Sequence, residues 1–218
     1  MPALKGAFIN AGAGLLGALP NIIVFQFNPE SINRTPALAE APPPATGAGT
    51  SDATQQPGQP AESMSFSLRL DATDQLAAAN PIAAASGILP TLSALELLMV
   101  PRSSLEIDLF HLSGKAKPYQ HPPDRLPTVL FVWGAYRVLP VSVVNMSINE
   151  TAYDQLLNPI RAEVSVSLQV LTPSQLAKDA SFARGAYTYS QGVKEVMAAL
   201  NLANSAQIGF STVLSFAS

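Results

Sequence analysis

The stretch Ile160-Arg-Ala-Glu-Val-Ser-Val-Ser-Leu-Gln-Val-Leu-Thr172 decides the fold class of this chain. Apolar residues occupy every even position from Ile160 to Val170, and polar or charged residues occupy the odd positions between them. Successive side chains of a β-strand point to opposite faces, so this period of two predicts a strand with one face in a core and the other in solvent. We therefore expect a mainly β protein built on an antiparallel sheet.

Two predicted strands precede this one in the C-terminal half of the chain. They cover residues 128–133 and 136–150, and both are rich in β-branched and apolar residues. In the longer strand the apolar residues change from odd to even positions between Val143 and Val144. Such a slip predicts a β-bulge, which bends a sheet toward closure.

Further strands are predicted in the N-terminal half. Met64–Leu70 alternates strictly between apolar and polar residues, and an earlier strand follows Pro20 until Asn28-Pro29 stops it with turn residues. Leu105–Leu109 also alternates. With the three strands further along the chain, these segments supply enough strands for one sheet.

Helical periodicity occurs at two places. The spacing of Leu92, Leu95, Leu98 and Met99 after Pro90 predicts one short amphipathic helix over about residues 91–99. A second helix is predicted near residues 191–201, where Val193, Val196, Met197 and Leu200 form one stripe. The apolar tail that follows, residues 208–216, is expected to dock in cis or on the sheet edge of a neighbour.

The segment from Thr35 to Glu62 interrupts the strand pattern. It contains six prolines and three glycines but no aromatic or β-branched aliphatic residue, so it predicts a flexible, partly extended loop inserted between two strands. We therefore divide the chain into a β domain over residues 1–172, with this insertion at 35–62, and a C-terminal extension over 173–218 that carries the helix and the tail.

The composition favours an assembly subunit over an enzyme. Charged residues make up 12% of the chain, less than half the usual share, and the mean hydropathy is +0.23, so other subunits are expected to cover apolar surface. There is no cysteine and there are two histidines, which excludes thiolate nucleophiles and Cys/His zinc sites. No catalytic constellation or cofactor loop is legible, so we expect no catalytic activity, no cofactor and no metal.

Charge and hydropathy also limit the partners. A net charge of −3 gives no basic field for phosphates, so no nucleic acid is expected. The apolar stretch of residues 7–20 is too short for a membrane span and lacks a signal-peptide cleavage pattern, so neither membrane insertion nor a signal peptide is expected. A carbohydrate- or peptide-binding β-sandwich is the alternative, and it would need a cleft with clustered aromatic side chains.

Several motifs, taken in order, resemble one known family. They are Val24-Phe-Gln-Phe-Asn-Pro-Glu-Ser-Ile-Asn-Arg34, Val129-Leu-Phe-Val-Trp-Gly134 and Asn158-Pro-Ile-Arg-Ala-Glu-Val-Ser-Val166. Together they resemble the N-terminal domain of contractile injection system tube proteins over most of residues 20–172. Members commonly continue into a LysM-like module, but only 46 residues follow Thr172, so that module and its cell-wall role are not carried over.

The resemblance implies a tube-like, partly closed antiparallel β-barrel with a helix. It also implies a baseplate hub or tube-initiator adaptor that links the inner tube to the spike of a phage-tail-like particle. A sixfold ring is expected from the family alone, as is assembly in the cytoplasm into a particle that can be released. The residues that we expect at subunit contacts are Phe25, Phe27, Trp133, Ile208, Phe210, Leu214 and Phe216.

Overall fold

The computed structural model describes residues 4–10, 21–38, 60–101, 126–178 and 180–207. Seven strands form one antiparallel sheet in the order β2-β1-β5-β6-β7-β4-β3. The strands are β1 Ala7–Asn10, β2 Asn21–Val24, β3 Asn33–Ala37, β4 Ala61–Asp71, β5 Val129–Val132, β6 Val138–Tyr153 and β7 Pro159–Val170. The helices are α1 Thr73–Ala77, α2 Pro81–Ser86, α3 Leu89–Glu96 and α4 Ser181–Gln207. The prediction of a mainly β chain with α+β character is confirmed.

The strands predicted from alternation bury the expected faces. In β7 every even residue from Ala162 to Val170 is buried, and in β4 the even residues from Met64 to Leu70 are buried. Ten residue pairs join these two strands, so the two apolar faces line one core. The predicted bulge is confirmed as well, because the register of β6 against β7 shifts between Val143 and Asn145 and leaves Val144 exposed.

Within the described residues, the sheet curls strongly but does not close into a barrel. Its two end strands, β2 and β3, do not pair with each other, and β3 covers only the first half of β4. Gln26, just after β2, reaches the uncovered second half of β4. Its side-chain amide accepts from the Asp71 N–H at 2.8 Å and donates to the Asp71 carbonyl at 2.5 Å. The Gln26 amide thus makes the two hydrogen bonds that a paired backbone would make across the seam, which is the gap between the end of β2 and the second half of β4.

Aromatic rings fill the interior that the curled sheet encloses. Phe8, Phe25, Phe66 and Phe131 lie with ring centroids 5.1–6.3 Å apart. Phe8, Phe25 and Phe131 come from β1, the end of β2 and β5, which are neighbours in the sheet, whereas Phe66 comes from β4, which β6 and β7 separate from β5. Their contact is therefore the packing that maintains the curl, and α3 adds Leu92, Leu95 and Leu98 to the same core.

In the described residues that follow β4, the structure has three helices where one was predicted. The first two were missed, although Asn80-Pro81 is a good helix start. The Asn80 side chain accepts from the N–H groups of Ile82 and Ala83, and Pro81 occupies the first turn, where no N–H is needed. Helix α3 begins two residues earlier than predicted and ends at Glu96. All three lie at the end of the sheet where β4 ends and β7 begins, since Ile88 N–H donates to the Pro159 carbonyl.

A polar cluster fixes the end of β4 at this junction. The Asp71 carboxylate accepts from the backbone N–H and hydroxyl of Thr73 and from Arg161 Nε, the last at 2.8 Å. The hydrogen bond from the Thr73 side chain is the main cause that lowers the pKa of Asp71, and Arg161 contributes further.

Replacing Asp71 with asparagine should therefore make stability depend less on pH. A carboxylate whose folded pKa is depressed stabilises the fold above its unfolded pKa, about 3.9, and this contribution is lost as the pH falls through the folded pKa. We expect Asp71→Asn to lower the free energy of unfolding by about 1 kcal/mol at pH 7. The effect is this small because Arg161 is half-exposed, and it should vanish in stronger acid. Urea denaturation at pH 7 and at a pH well below 3.8 checks this; a cost that stays constant with pH would contradict it.

Several expectations fall on or near residues that the structure does not describe. The ends of the predicted 35–62 loop belong to strands, because Thr35–Ala37 of β3 pair with Ala61–Ser63 of β4. The middle of that loop, residues 39–59, lies outside the described residues, as do the predicted strand Leu105–Leu109 and the tail 208–216. In the described part of the chain, no helix has both the length and the apolar character to cross a membrane.

Candidate assembly interface

Helix α4 crosses the end of the sheet where β4 begins. Its first half buries Ala183, Tyr187 and Ser190, a spacing of four and three residues that places them on one face of a helix. Ala183 packs with Leu176 against the outer face of β5 at Leu130, and burial raises the pKa of Tyr187. The Ser190 hydroxyl donates to the Val138 carbonyl at 2.7 Å and accepts from the Val138 N–H, so it pairs with the start of β6.

A buried carboxylate holds the midpoint of α4. Glu62 points toward the interior of the sheet, and its side chain is 8% exposed. Oε1 accepts from Arg34 Nε of β3 at 2.6 Å, and Oε2 accepts from Lys194 Nζ of α4 at 3.3 Å. Arg137 lies near this pair: burial lowers the pKa of its guanidinium, repulsion from Arg34 lowers it further, and attraction to Glu62 raises it. One carboxylate thus ties the edge strand, β4 and α4 together.

Replacing Glu62 with glutamine should loosen α4. The substitution leaves three neighbouring cations without their counter-ion, so we expect the free energy of unfolding to fall by about 1–3 kcal/mol. Arg34 and Lys194 are partly exposed, so this decrease is smaller than for a fully buried pair. Hydrogen exchange should accelerate around residues 190–199 but not in β7. Glu30→Gln is the matched control, since Glu30 forms an exposed 3.7 Å pair with Arg69 and should change stability by less than about 0.5 kcal/mol. Equal effects of the two substitutions would contradict the role of Glu62.

The second half of α4 leaves the body of the protein. We call residues 195–207 the α4 arm. Val196, Met197 and Leu200 lie on one stripe of the arm and are 42–58% exposed. This stripe was predicted from the sequence, but the helix is much longer than the predicted 191–201. After Glu195 the arm has no charged residue, so it presents an uncharged apolar ridge.

A second exposed apolar surface lies at the tip of the β6–β7 hairpin. Leu156 and Leu157 are 77% and 79% exposed, and Leu157 has a φ of +64°, which a branched residue rarely adopts. The Asp154 carboxylate fixes this turn by accepting from the N–H groups of Leu156 and Asn158 and from the Asn158 side chain. The Asn158 side chain is the main cause that lowers the pKa of Asp154. The tip is therefore a rigid turn that presents two leucines to solvent.

The outer face of β4, β7 and β6 has a different chemistry. Hydroxyl and amide side chains stand opposite one another across the strands, and the Ser67 and Ser165 hydroxyls are 3.0 Å apart. A groove of about 240 Å³ lies beside the bulge and is lined by Asn33, Thr35, Ser63, Met64, Ser65, Val144, Ser167, Leu168 and Gln169. None of these is aromatic, so the groove lacks the rings that the sugar-binding alternative requires. Within the described ranges, no cluster of His, Asp or Glu could hold a metal ion.

The residues predicted at subunit contacts fall in different places. Phe25 is 2% exposed and packs edge-on against Phe8, so it lies in the core, where a neighbouring subunit could not reach it. The alternation of β2 explains this, because Ile23 and Phe25 share the inward face. Trp133 is half-buried and stacks on Phe131, whereas Phe27 is 46% exposed. Ile208, Phe210, Leu214 and Phe216 lie outside the described residues.

Three features were missed from the sequence. The leucine tip could have been found from the consecutive Leu156 and Leu157 in a turn between two long strands. Ile22 and Val24 were predicted to lie in a strand, but their position on its outer face, where each is 54% exposed, was not predicted. The Glu62 cluster carries no sequence signal, since Arg34, Glu62, Arg137 and Lys194 are far apart in the chain.

Comparison with known protein families gives a match over most of the chain. The family model described as contractile injection system tube protein matches residues 16–178, well over half of the chain. The matched range ends just before α4, so it covers most of the sheet and the three short helices but not the α4 arm. No curated protein matches the chain.

Proposed function

Because the chain belongs to the contractile injection system tube protein family, whose members are structural tube components, we propose that it acts as a baseplate hub or tube-initiator subunit that joins the inner tube to the spike. Assembly in the cytoplasm, in a particle that can be released, is part of this proposal, and so are a ring of copies and the absence of catalysis. The family supports assembly with other components of the particle. The adaptor role depends on surfaces of this chain.

The observation that carries the adaptor role is the leucine tip at the end of the sheet opposite α4. The tip follows β6 at the end where α1–α3 lie, whereas α4 crosses the end where β4 begins. A subunit that links two different layers needs two unlike surfaces on opposite sides. Exposed leucines in a strained turn lower the stability of the free monomer. Their burial against a neighbouring layer would explain why the chain has them at this position.

Replacing Leu157 with asparagine separates assembly from folding. Asparagine tolerates a positive φ, so we expect Leu157→Asn to leave stability unchanged or to raise it by about 1 kcal/mol. The same substitution removes an apolar contact from the tip and should weaken binding to the neighbouring layer. Thermal denaturation and co-purification with the tube and spike proteins of the same particle measure the two effects.

The co-purification experiment also tests the proposed function. Tube and spike proteins should co-purify as one complex only when this chain is present, and Leu157→Asn should reduce that complex. Gln75→Asn, on the exposed surface of α1, is the control and should not reduce it. A spike that binds the tube equally well without this chain would refute the adaptor role.

A further inference from the structure

Two exposed apolar surfaces on this chain match each other in length and in charge. One is the stripe of the α4 arm formed by Val196, Met197 and Leu200. The other, which we call the β2 patch, is formed by Ile22 and Val24 on the outer face of β2. Val196 and Leu200 are about 6 Å apart along a helix, and Ile22 and Val24 are about 7 Å apart along a strand. The ridge of the arm can therefore meet the patch side chain for side chain.

Neither surface would bury a charge in such a contact. The arm has no charged residue after Glu195, and β2 consists of Asn21, Ile22, Ile23 and Val24. Beside β2 in the sheet lies β1, where Ile9 pairs with Ile22 and Ala7 pairs with Val24. Ile9 already packs against the first turns of α4, so the exposed patch is the outer face of β2 itself. Contact between two uncharged surfaces carries no cost for removing charges from water.

The two surfaces lie on different sides of one molecule. The first turns of α4 rest beside β5 and β1, where Ala183 and Ala186 pack with Leu130 and Ile9. The helix then passes the start of β6 at Val138 and reaches β4 at Glu62, so the arm leaves on the β4 side. The β2 patch is at the other end of the sheet order. The arm therefore points away from its own patch, and a second copy is the molecule whose patch it can reach.

We propose that the α4 arm of one copy packs on the β2 patch of the next copy. The contact joins two different surfaces, so it repeats head to tail and generates a ring or a helical array rather than a closed pair. The Lys194–Glu62 ion pair sets the direction in which the arm leaves the body. The inference rests on the proposed function only in assuming that copies of this chain associate.

Mixing two variants tests the head-to-tail contact. Leu200→Lys charges the arm, and Val24→Lys charges the patch; both positions are exposed, so both variants should melt like the wild type. Each variant alone should lose self-association by at least roughly tenfold. An equal mixture should form dimers but no larger species, because the intact arm of the Val24→Lys copy can still bind the intact patch of the Leu200→Lys copy. Analytical ultracentrifugation distinguishes monomers, dimers and larger species.

Disulfide cross-linking gives an independent readout, because the chain has no native cysteine. A disulfide needs Cα atoms within about 7 Å, so Leu200→Cys mixed with Val24→Cys should cross-link at least roughly tenfold faster than Leu200→Cys mixed with Gln75→Cys. Cross-linking of Leu200→Cys mainly to itself would show arm-to-arm pairing and overturn the proposal. A wild-type chain that stays monomeric, a Val24→Lys variant that assembles normally, or a mixture that stays monomeric would also overturn it.

The outcome is separable from that of the proposed function. Dimers in the mixture together with failure to join tube and spike would refute the adaptor role and leave the head-to-tail contact standing. If the chain joins tube and spike but its Val24→Lys variant still assembles, the head-to-tail contact is refuted and the adaptor role stands.

Discussion

Replacing Phe131 with alanine is expected to lower the free energy of unfolding by about 3–5 kcal/mol. Phe131 is fully buried, and its ring lies 5.4 Å from Phe66, 5.9 Å from Phe8 and 6.3 Å from Phe25. The cavity would open at the point where the two sides of the curled sheet meet, so those rings would lose contacts together. Domains of this size are stable by only about 5–15 kcal/mol, so this loss is a large fraction of the total stability. Urea denaturation followed by circular dichroism measures the change.

Phe27→Ala is the matched control for this substitution. Phe27 is 46% exposed, so its removal should cost less than about 1 kcal/mol. Phe131→Leu should fall between the two, because leucine refills part of the cavity. A cost for Phe131→Ala no larger than that for Phe27→Ala would show that the aromatic cluster does not hold the sheet together.

The predictable parts of the fold are the strands in which the alternation of apolar and polar residues is visible within the strand itself. The alternation of Ala162–Val170 and of Met64–Leu70 specifies both the strand and its inward face, because a slip of one residue would expose every apolar side chain. The phase change at Val143 and Val144 located the bulge for the same reason. The resemblance of three short motifs indicated the family, and the family match confirms it.

The parts that were not predictable depend on contacts between distant segments. A partly closed barrel was expected from the family resemblance; in the described part of the chain, the Gln26 side chain and the aromatic cluster are two arrangements that join the β2 side of the sheet to β4. Neither arrangement follows from local periodicity. The length of α4 was underestimated because its first turns, from Ser181 to Ser190, mix buried and exposed residues of both polarities, and its buried face includes Ser190, whose hydroxyl bonds to β6.

The exposure of the residues predicted at subunit contacts depends on the fold and not on their residue types. Low charge and apolar stretches indicated surfaces that other subunits cover, yet the aromatic residues chosen for that role included Phe25, which is in the core. In the described residues, the exposed apolar side chains include Leu156, Leu157, Ile22 and Val24. The sequence shows which residues are apolar, but the choice between the core and the surface depends on which face of each strand the rest of the fold covers.

Among the glycines that the structure describes, Gly87 is the one where an added methyl group should have the largest effect. It links α2 to α3 with a φ of +57° and a ψ of −128°, a conformation that is essentially restricted to glycine. A Cβ there would lie 2.1 Å from the Pro159 carbonyl oxygen, which also accepts the Ile88 N–H at 2.9 Å. The clash is with backbone at the start of β7, so it can be relieved only by moving α3 away from the core.

Gly87→Ala should therefore lower the free energy of unfolding by at least about 3 kcal/mol. Gly134→Ala is the control that separates backbone strain from collision. Gly134 has a similar φ of +69°, but a Cβ there meets nothing within 4 Å, so only the backbone cost of about 1–2 kcal/mol remains. Urea denaturation compares the two costs, and hydrogen exchange in residues 88–98 should increase only for Gly87→Ala, because α3 loses its attachment to β7. Equal costs for both substitutions would mean that the close approach of Gly87 to Pro159 does not hold the helices on the sheet.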